Sequence, residues 1–198
     1  MNVSFLYNLV VQNFWVTSIA WILLALVDNL LSVRELLLYR KGAHSHIILH
    51  DGSEINPFFA PHLGPEDYIS VNTLIYICVG YFFLWLTWIT KSLSGHFSTW
   101  EFSAGMALLI HLPIMIRHLR WTVFLNMARR EIADGKAEGF WLEGKVKSAP
   151  CFFYRQHSLD MYLFAILWAF IFLVTGKVFF AGGALSAFMA ATFYWLRR

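Results

Sequence analysis

An all-α bundle of about five transmembrane helices, with the N-terminus outside and the C-terminus inside, is the fold this sequence predicts. Three observations predict it. Hydrophobic residues make up 59% of the 198 residues and charged residues only 14%, where globular domains run near about 45–50% and about 25%. The mean hydropathy is +0.58, more apolar surface than a soluble domain of this size can cover with polar groups. The apolar residues also fall into runs of about 20, the length of helix that crosses about 30 Å of hydrocarbon. The same composition excludes a disordered chain, which would be poor in apolar residues.

The runs can be placed in order. The first covers 14–36 and continues as helix towards Arg40. The second, 69–90, carries no charge. The third covers 100–120 and extends towards Ala128, with Pro113 predicting a kink. The fourth and fifth cover 158–175 and 178–195, separated only by Gly176 and Lys177, so their turn must be tight. The alternative for that end is one span with a re-entrant piece. Charge decides between them: with five spans and the N-terminus outside, only Lys91 and Lys177 of the 15 Lys and Arg lie outside, in line with the positive-inside rule. Residues 1–198 then form a single membrane domain in the plasma or inner membrane. Two long cytoplasmic loops, 41–68 and 129–155, join the spans, and Asp51-Gly52 suggests a small hairpin in the first.

Several classes are set aside. A net charge of +3 with no basic block argues against nucleic acid. The first 27 residues carry no charged side chain, so the positively charged start of a secretory signal is missing and the first run reads as a retained span. Cys78 and Cys151 fall at different depths and read as free thiols. Gly183, Ala187 and Ala191 recur every four residues, a helix-contact face that serves either this chain's own helices or an oligomer or partner membrane subunit. Trp15, Tyr68, Trp88, Trp100, Trp121 and Trp195 stand near span ends as interfacial anchors.

An ionisable side chain at the centre of a span costs at least about 2.5–3.5 kcal/mol and is a functional candidate for that reason. Asp28 is the clearest, with Asn29 beside it and Ser32 one turn on. Arg117, at nearly the same depth on a parallel span, is its expected ion-pair partner, with His118 the second choice. His111 lies near the midplane and suits a hydrogen-bonded membrane histidine, with a proton relay as the other reading. No second histidine stands at its depth to complete a haem site. The loop offers His44, His46, His50 and His62, and His46-x-x-x-His50 has metal-ligand spacing only on a helix. The region reads as loop, so neither a metal nor any other cofactor is expected.

Asp28, then Gly42, then Glu54-Ile55-Asn56-Pro57 resembles the spaced Asp…Gly…Glu-x-Asn-Pro pattern of small prokaryotic multi-span membrane proteins of unknown function. The likeness covers residues 24–59, with a histidine-bearing insertion between Gly42 and Glu54. It implies that Asp28, Glu54 and Asn56 share one polar cluster and brings no activity with it. Three functions remain. The leading one is a non-enzymatic accessory or scaffold subunit of a membrane assembly, since no catalytic constellation is visible. The others are an ion, proton or small-molecule transport component, which five spans would build as an oligomer, and a membrane-embedded enzyme with an inner-face His/Asp/Glu site.

Overall fold

The computed structural model describes residues 3–40, 71–133 and 150–196, all of them in helices or the short turns between them. Seven helices follow in order: α1 (Val3–Gln12), α2 (Phe14–Arg40), α3 (Val71–Ser94), α4 (Phe97–Leu109), α5 (His111–Ala133), α6 (Pro150–Thr175) and α7 (Val178–Leu196). Among the described residues, five stretches are long and apolar enough to cross a membrane: Phe14–Glu35, Val71–Ser94, Phe97–Met127 (α4 and α5 in succession), Arg155–Thr175 and Val178–Leu196. The five expected spans are therefore present. At the expected loop 129–155, α5 runs on to Ala133 and α6 begins at Pro150; the residues between lie outside the described ones. Proline suits that first helical position, where no backbone N–H is needed. The loop 41–68, with its hairpin, lies outside the described residues.

Each break has a local cause. Asn13 separates α1 from α2, and its Oδ1 accepts the backbone N–H of Trp15 at 3.0 Å and of Val16 at 3.3 Å, which is how asparagine caps a helix start. The third span divides at Ile110. Pro113 has no N–H to offer Leu109, and its ring crowds that carbonyl, so the expected kink falls one turn before the proline. Gly95 and Gly176 close the turns after α3 and α6 with φ of 71° and 66°. That left-handed conformation costs glycine no Cβ clash and ends a helix abruptly. With Gly176 in place, α6 and α7 are two separate helices joined by two residues.

Contacts fix the directions. Trp21 and Asn29 of α2 meet Ile77 and Thr73 of α3, so these helices are antiparallel. Trp21 meets His111 and Glu35 meets His118, so α2 and α5 are parallel. The tightest crossing joins α4 to α7. A Cβ on Gly105 would strike the Phe179 carbonyl, and one on Gly182 the Phe102 carbonyl, so the two backbones touch through paired glycines. The Gly183, Ala187 and Ala191 face is buried within the chain. Gly183 lies on Leu109, and Ser158 of α6 donates to the Ala191 carbonyl at 2.8 Å. The expectation of a partner subunit on this face is thus corrected: small residues let α4 and α6 approach so closely that no surface is left there.

Beside this crossing sits an aromatic core of Phe14, Trp21, Leu84, Trp100 and Phe179, with Val11 of α1. Trp100 is not the interfacial anchor its position suggested. It is fully buried and donates Nε1–H to the Val11 carbonyl at 2.6 Å, because α1 folds back over the start of α4. Tyr7 completes that docking by donating its hydroxyl to Glu101. Glu101 also accepts the Phe179 N–H at 3.3 Å, a carboxylate at the positive end of α7. Trp15 and Trp195 remain exposed, as anchors should be, and Cys78 is a free thiol on the exposed side of α3.

Two predictions follow from this packing. Gly105→Val should lower thermal stability in detergent by about 1–3 kcal/mol or more, since the added atoms meet backbone that cannot repack. Leu185→Ala, on an exposed face, should change it little. The second concerns pH. Burial, then the Glu101 carboxylate beside it, push the Tyr7 phenol above its ordinary value. The folded state thus favours the neutral phenol, and this stabilisation is full below about pH 10 and is lost as pH rises through the raised folded value. Tyr7→Phe should be less stable at neutral pH by about 1 kcal/mol. Chemical denaturation across an alkaline series should show that gap closing well above pH 10.

Candidate functional site

Asp28, Ser32 and Glu35 recur along α2 at steps of four and three, so they form one stripe on the helix. On α5, His111 and His118 stand seven residues apart and likewise share a face. Because α2 and α5 run parallel in contact, the two stripes meet along a seam. Asp28, Glu35, Arg117 and His118 are each at most 4% exposed, all inside membrane-crossing segments.

His118 is the centre. Its Nε2 lies 2.8 Å from Asp28 Oδ1 and its Nδ1 lies 2.9 Å from Glu35 Oε1. Arg117 Nη2 approaches the same Nε2 at 3.0 Å, and Ser32 Oγ stands 3.5 Å away. An imidazolium with a carboxylate on each nitrogen suits this arrangement, because both ring N–H groups then face an anion. With His118 charged, two carboxylates balance a guanidinium and an imidazolium, and the cluster closes at zero net charge. Neutrality matters here, since an uncompensated charge in hydrocarbon is expensive.

Nε2 has two claimants. When it carries a proton it faces Asp28 as a donor, and the Arg117 N–H then meets another donor. When it is bare it can accept from Arg117. A single proton therefore decides which contact is favourable. Around the cluster, Thr73 of α3 donates to Asn29 Oδ1 at 2.6 Å, holding the helix turn that carries Asp28. On the far side of α5, Arg120 grips Asp160 of α6 at 2.5 and 3.3 Å. That pair is partly exposed and ties the helices only weakly.

The structure thus brings together three of the residues singled out by sequence: Asp28, Arg117 and His118. The second choice, His118, makes a 2.8 Å contact with Asp28, and Arg117 approaches the same ring at 3.0 Å. Both side chains were at the right depth, but the imidazole sits on the face turned to α2. His111 is buried one heptad away, its ring 5.0 Å from Trp21 and 6.1 Å from Tyr76. Glu54 and Asn56 lie outside the described residues, as do Gly42, His44, His46, His50 and His62. Glu35 was missed, although its place seven residues after Asp28 was the signal. His157 of α6, buried beside Tyr194, had no signal beyond lying at a span end. The two carboxylates sit on opposite edges of the imidazole and do not converge on one point, and no metal-holding group is found among the described residues.

These features define a multi-span integral membrane protein with a buried ionic cluster between two of its spans. No family model, curated protein or solved structure matches the chain.

The cluster gives a stability prediction. Asp28→Asn should destabilise by about 3–5 kcal/mol, the usual cost of leaving a buried charge without its counter-charge. His118→Gln should cost nearly as much alone and little more when added to Asp28→Asn. Unfolding of the four proteins in detergent should yield a coupling of about 0.5–3 kcal/mol, and additive losses would show that the two groups do not act together.

Proposed function

We propose that this chain is a proton-handling component of a membrane transport system, with Asp28, His118 and Glu35 as its working array. One observation carries the reading: a single buried imidazole joins two carboxylates seven residues apart on α2. That spacing is about 10 Å along the helix axis. An imidazole can take a proton on one nitrogen and release one from the other. The array can therefore move a proton between the Glu35 level, at the end of its span, and the Asp28 level inside it. Charged groups are also a poor choice for mere packing, because apolar side chains of similar volume hold helices as well or better.

The accessory-subunit reading keeps one observation in its favour: a cluster of zero net charge also serves as a static tie between α2 and α5. In either case the array belongs to a protein of the plasma or inner membrane with its N-terminus outside, so Glu35 lies towards the cytoplasm. The resemblance over residues 24–59 would add Glu54 and Asn56 to the same array. The enzyme reading gains no support from the described residues.

Reconstitution separates the first two. Purified protein in liposomes holding a pH-sensitive dye should admit protons when a potassium gradient and valinomycin set the voltage. His118→Gln and Glu35→Gln should each cut that flux at least about tenfold, the loss typical of removing a proton-transfer group. No flux from the unaltered protein, or equal flux from His118→Gln, would leave the static tie. Orientation is tested apart from function. A reporter fused after Arg198 should behave as cytoplasmic and one inserted in the Ser92–Ser98 segment as external.

A further inference from the structure

The α2–α5 seam does not end at the ionic cluster. Moving from Asp28 back towards the start of α2, the buried polar atoms include Ser18 Oγ on α2 and both ring nitrogens of His111 on α5. None of these three atoms has a hydrogen-bond partner among the described residues. Asp28 Oδ1 itself is taken up by His118 Nε2 at 2.8 Å. Buried polar atoms without a hydrogen-bond partner among the described residues also occur on Thr122, His157 and Trp168, but those of His111 lie on the face of α5 that carries His118, one heptad away.

Among the described residues, none gives His111 a hydrogen bond. Trp21 faces it from α2 and Tyr76 from α3, and Asp28 is the charged group that acts on it. The Trp21 indole N–H is already given to the Ile77 carbonyl at 3.3 Å, and its ring is seated on Gly80. A histidine must present one donor and one acceptor or two donors, and buried polar groups in native proteins find partners in protein or ordered water. A polar site with several such atoms in reach is where an internal water is held.

We infer that internal water occupies the seam between Ser18 and Asp28 and that His111 is the outer station of the proton route, in contact with that water. This rests on the proton-handling reading for its purpose but not for its geometry. His111 and His118 are seven residues apart, about 10 Å, too far for direct transfer and within the span of a short water chain. The route then runs Glu35, His118, Asp28, water, His111. At each step a proton leaves one nitrogen or oxygen for the next, and no electron pair changes owner.

The test uses the full chain in lipid vesicles, with 15N-labelled histidine and solid-state NMR that transfers magnetisation from water to ring N–H groups. His111→Phe assigns the resonance by removing it. The expected result is that the His111 ring receives water magnetisation as readily as a hydrated site, and that His111→Phe lowers proton flux at least tenfold. A His111 ring sealed from water overturns the inference, and so does unchanged flux in His111→Phe. A wet His111 in an unaltered protein that passes no protons supports the hydrated seam and overturns only the transport reading.

Discussion

Charge cancellation in a medium that tolerates no spare charge is the constraint around which the α2–α5 half of this molecule is arranged. Each of Asp28, Glu35, Arg117 and His118 would be costly alone in hydrocarbon. Their cost falls only when they are gathered, and gathering them dictates register. Asp28 and Glu35 are on one helix and Arg117 and His118 on another, so α2 and α5 must lie side by side with residue 118 level with the stretch from 28 to 35. The Trp21–His111 contact, seven residues earlier on both helices, keeps the same register. Asn29 extends the control to α3 through Thr73. A slip of one turn would separate His118 from Asp28 and leave both charges unbalanced.

The other half of the bundle solves a different problem. Between α4 and α7 the described residues hold one carboxylate, Glu101 at the start of α7, and lipid tails are as apolar as any side chain, so most of the contact must come from shape. Gly105 and Gly182 remove the side chains that would hold the backbones apart. The paired glycines allow essentially one fit, whereas the polar seam allows more than one arrangement of its protons. The two halves share α4 and α5 as a single kinked span, and the break at Ile110 gives each its own axis. One side of the bundle is thus held by shape and the other by gathered charge.

How much of this the sequence disclosed depends on the kind of force involved. Span number and limits follow from run length against bilayer thickness, a one-dimensional argument, and Phe14–Glu35 and Val178–Leu196 fall where the runs placed them. Asp28, Arg117 and His118 were legible for the same reason, because depth can be counted along a helix. Which of two adjacent residues faces a neighbour cannot be counted that way. Residues 117 and 118 differ by about 100° around the helix, and only the direction of α2 decides between them. Glu35 was hidden by its nearness to the span end, where a carboxylate is expected to be hydrated. Trp100 was misplaced because α1 reads as an apolar extension of the first span, and nothing short of the Asn13 cap shows that it folds back.

The seam also explains why neutrality alone is an incomplete account of these residues. A purely structural cluster would be best served by one donor for each acceptor, and His118 Nε2 does not have that: Asp28 asks it to donate and Arg117 asks it to accept. The conflict is removed in one protonation state and returns in the other. If Nε2 keeps its proton, Asp28 is satisfied and the Arg117 N–H must turn elsewhere. If the proton passes to Asp28, Arg117 gains an acceptor and the carboxyl becomes neutral. Total charge is the same in both states, so the shift requires no ion to cross hydrocarbon and little movement of heavy atoms. That is the property the proposed proton station would need.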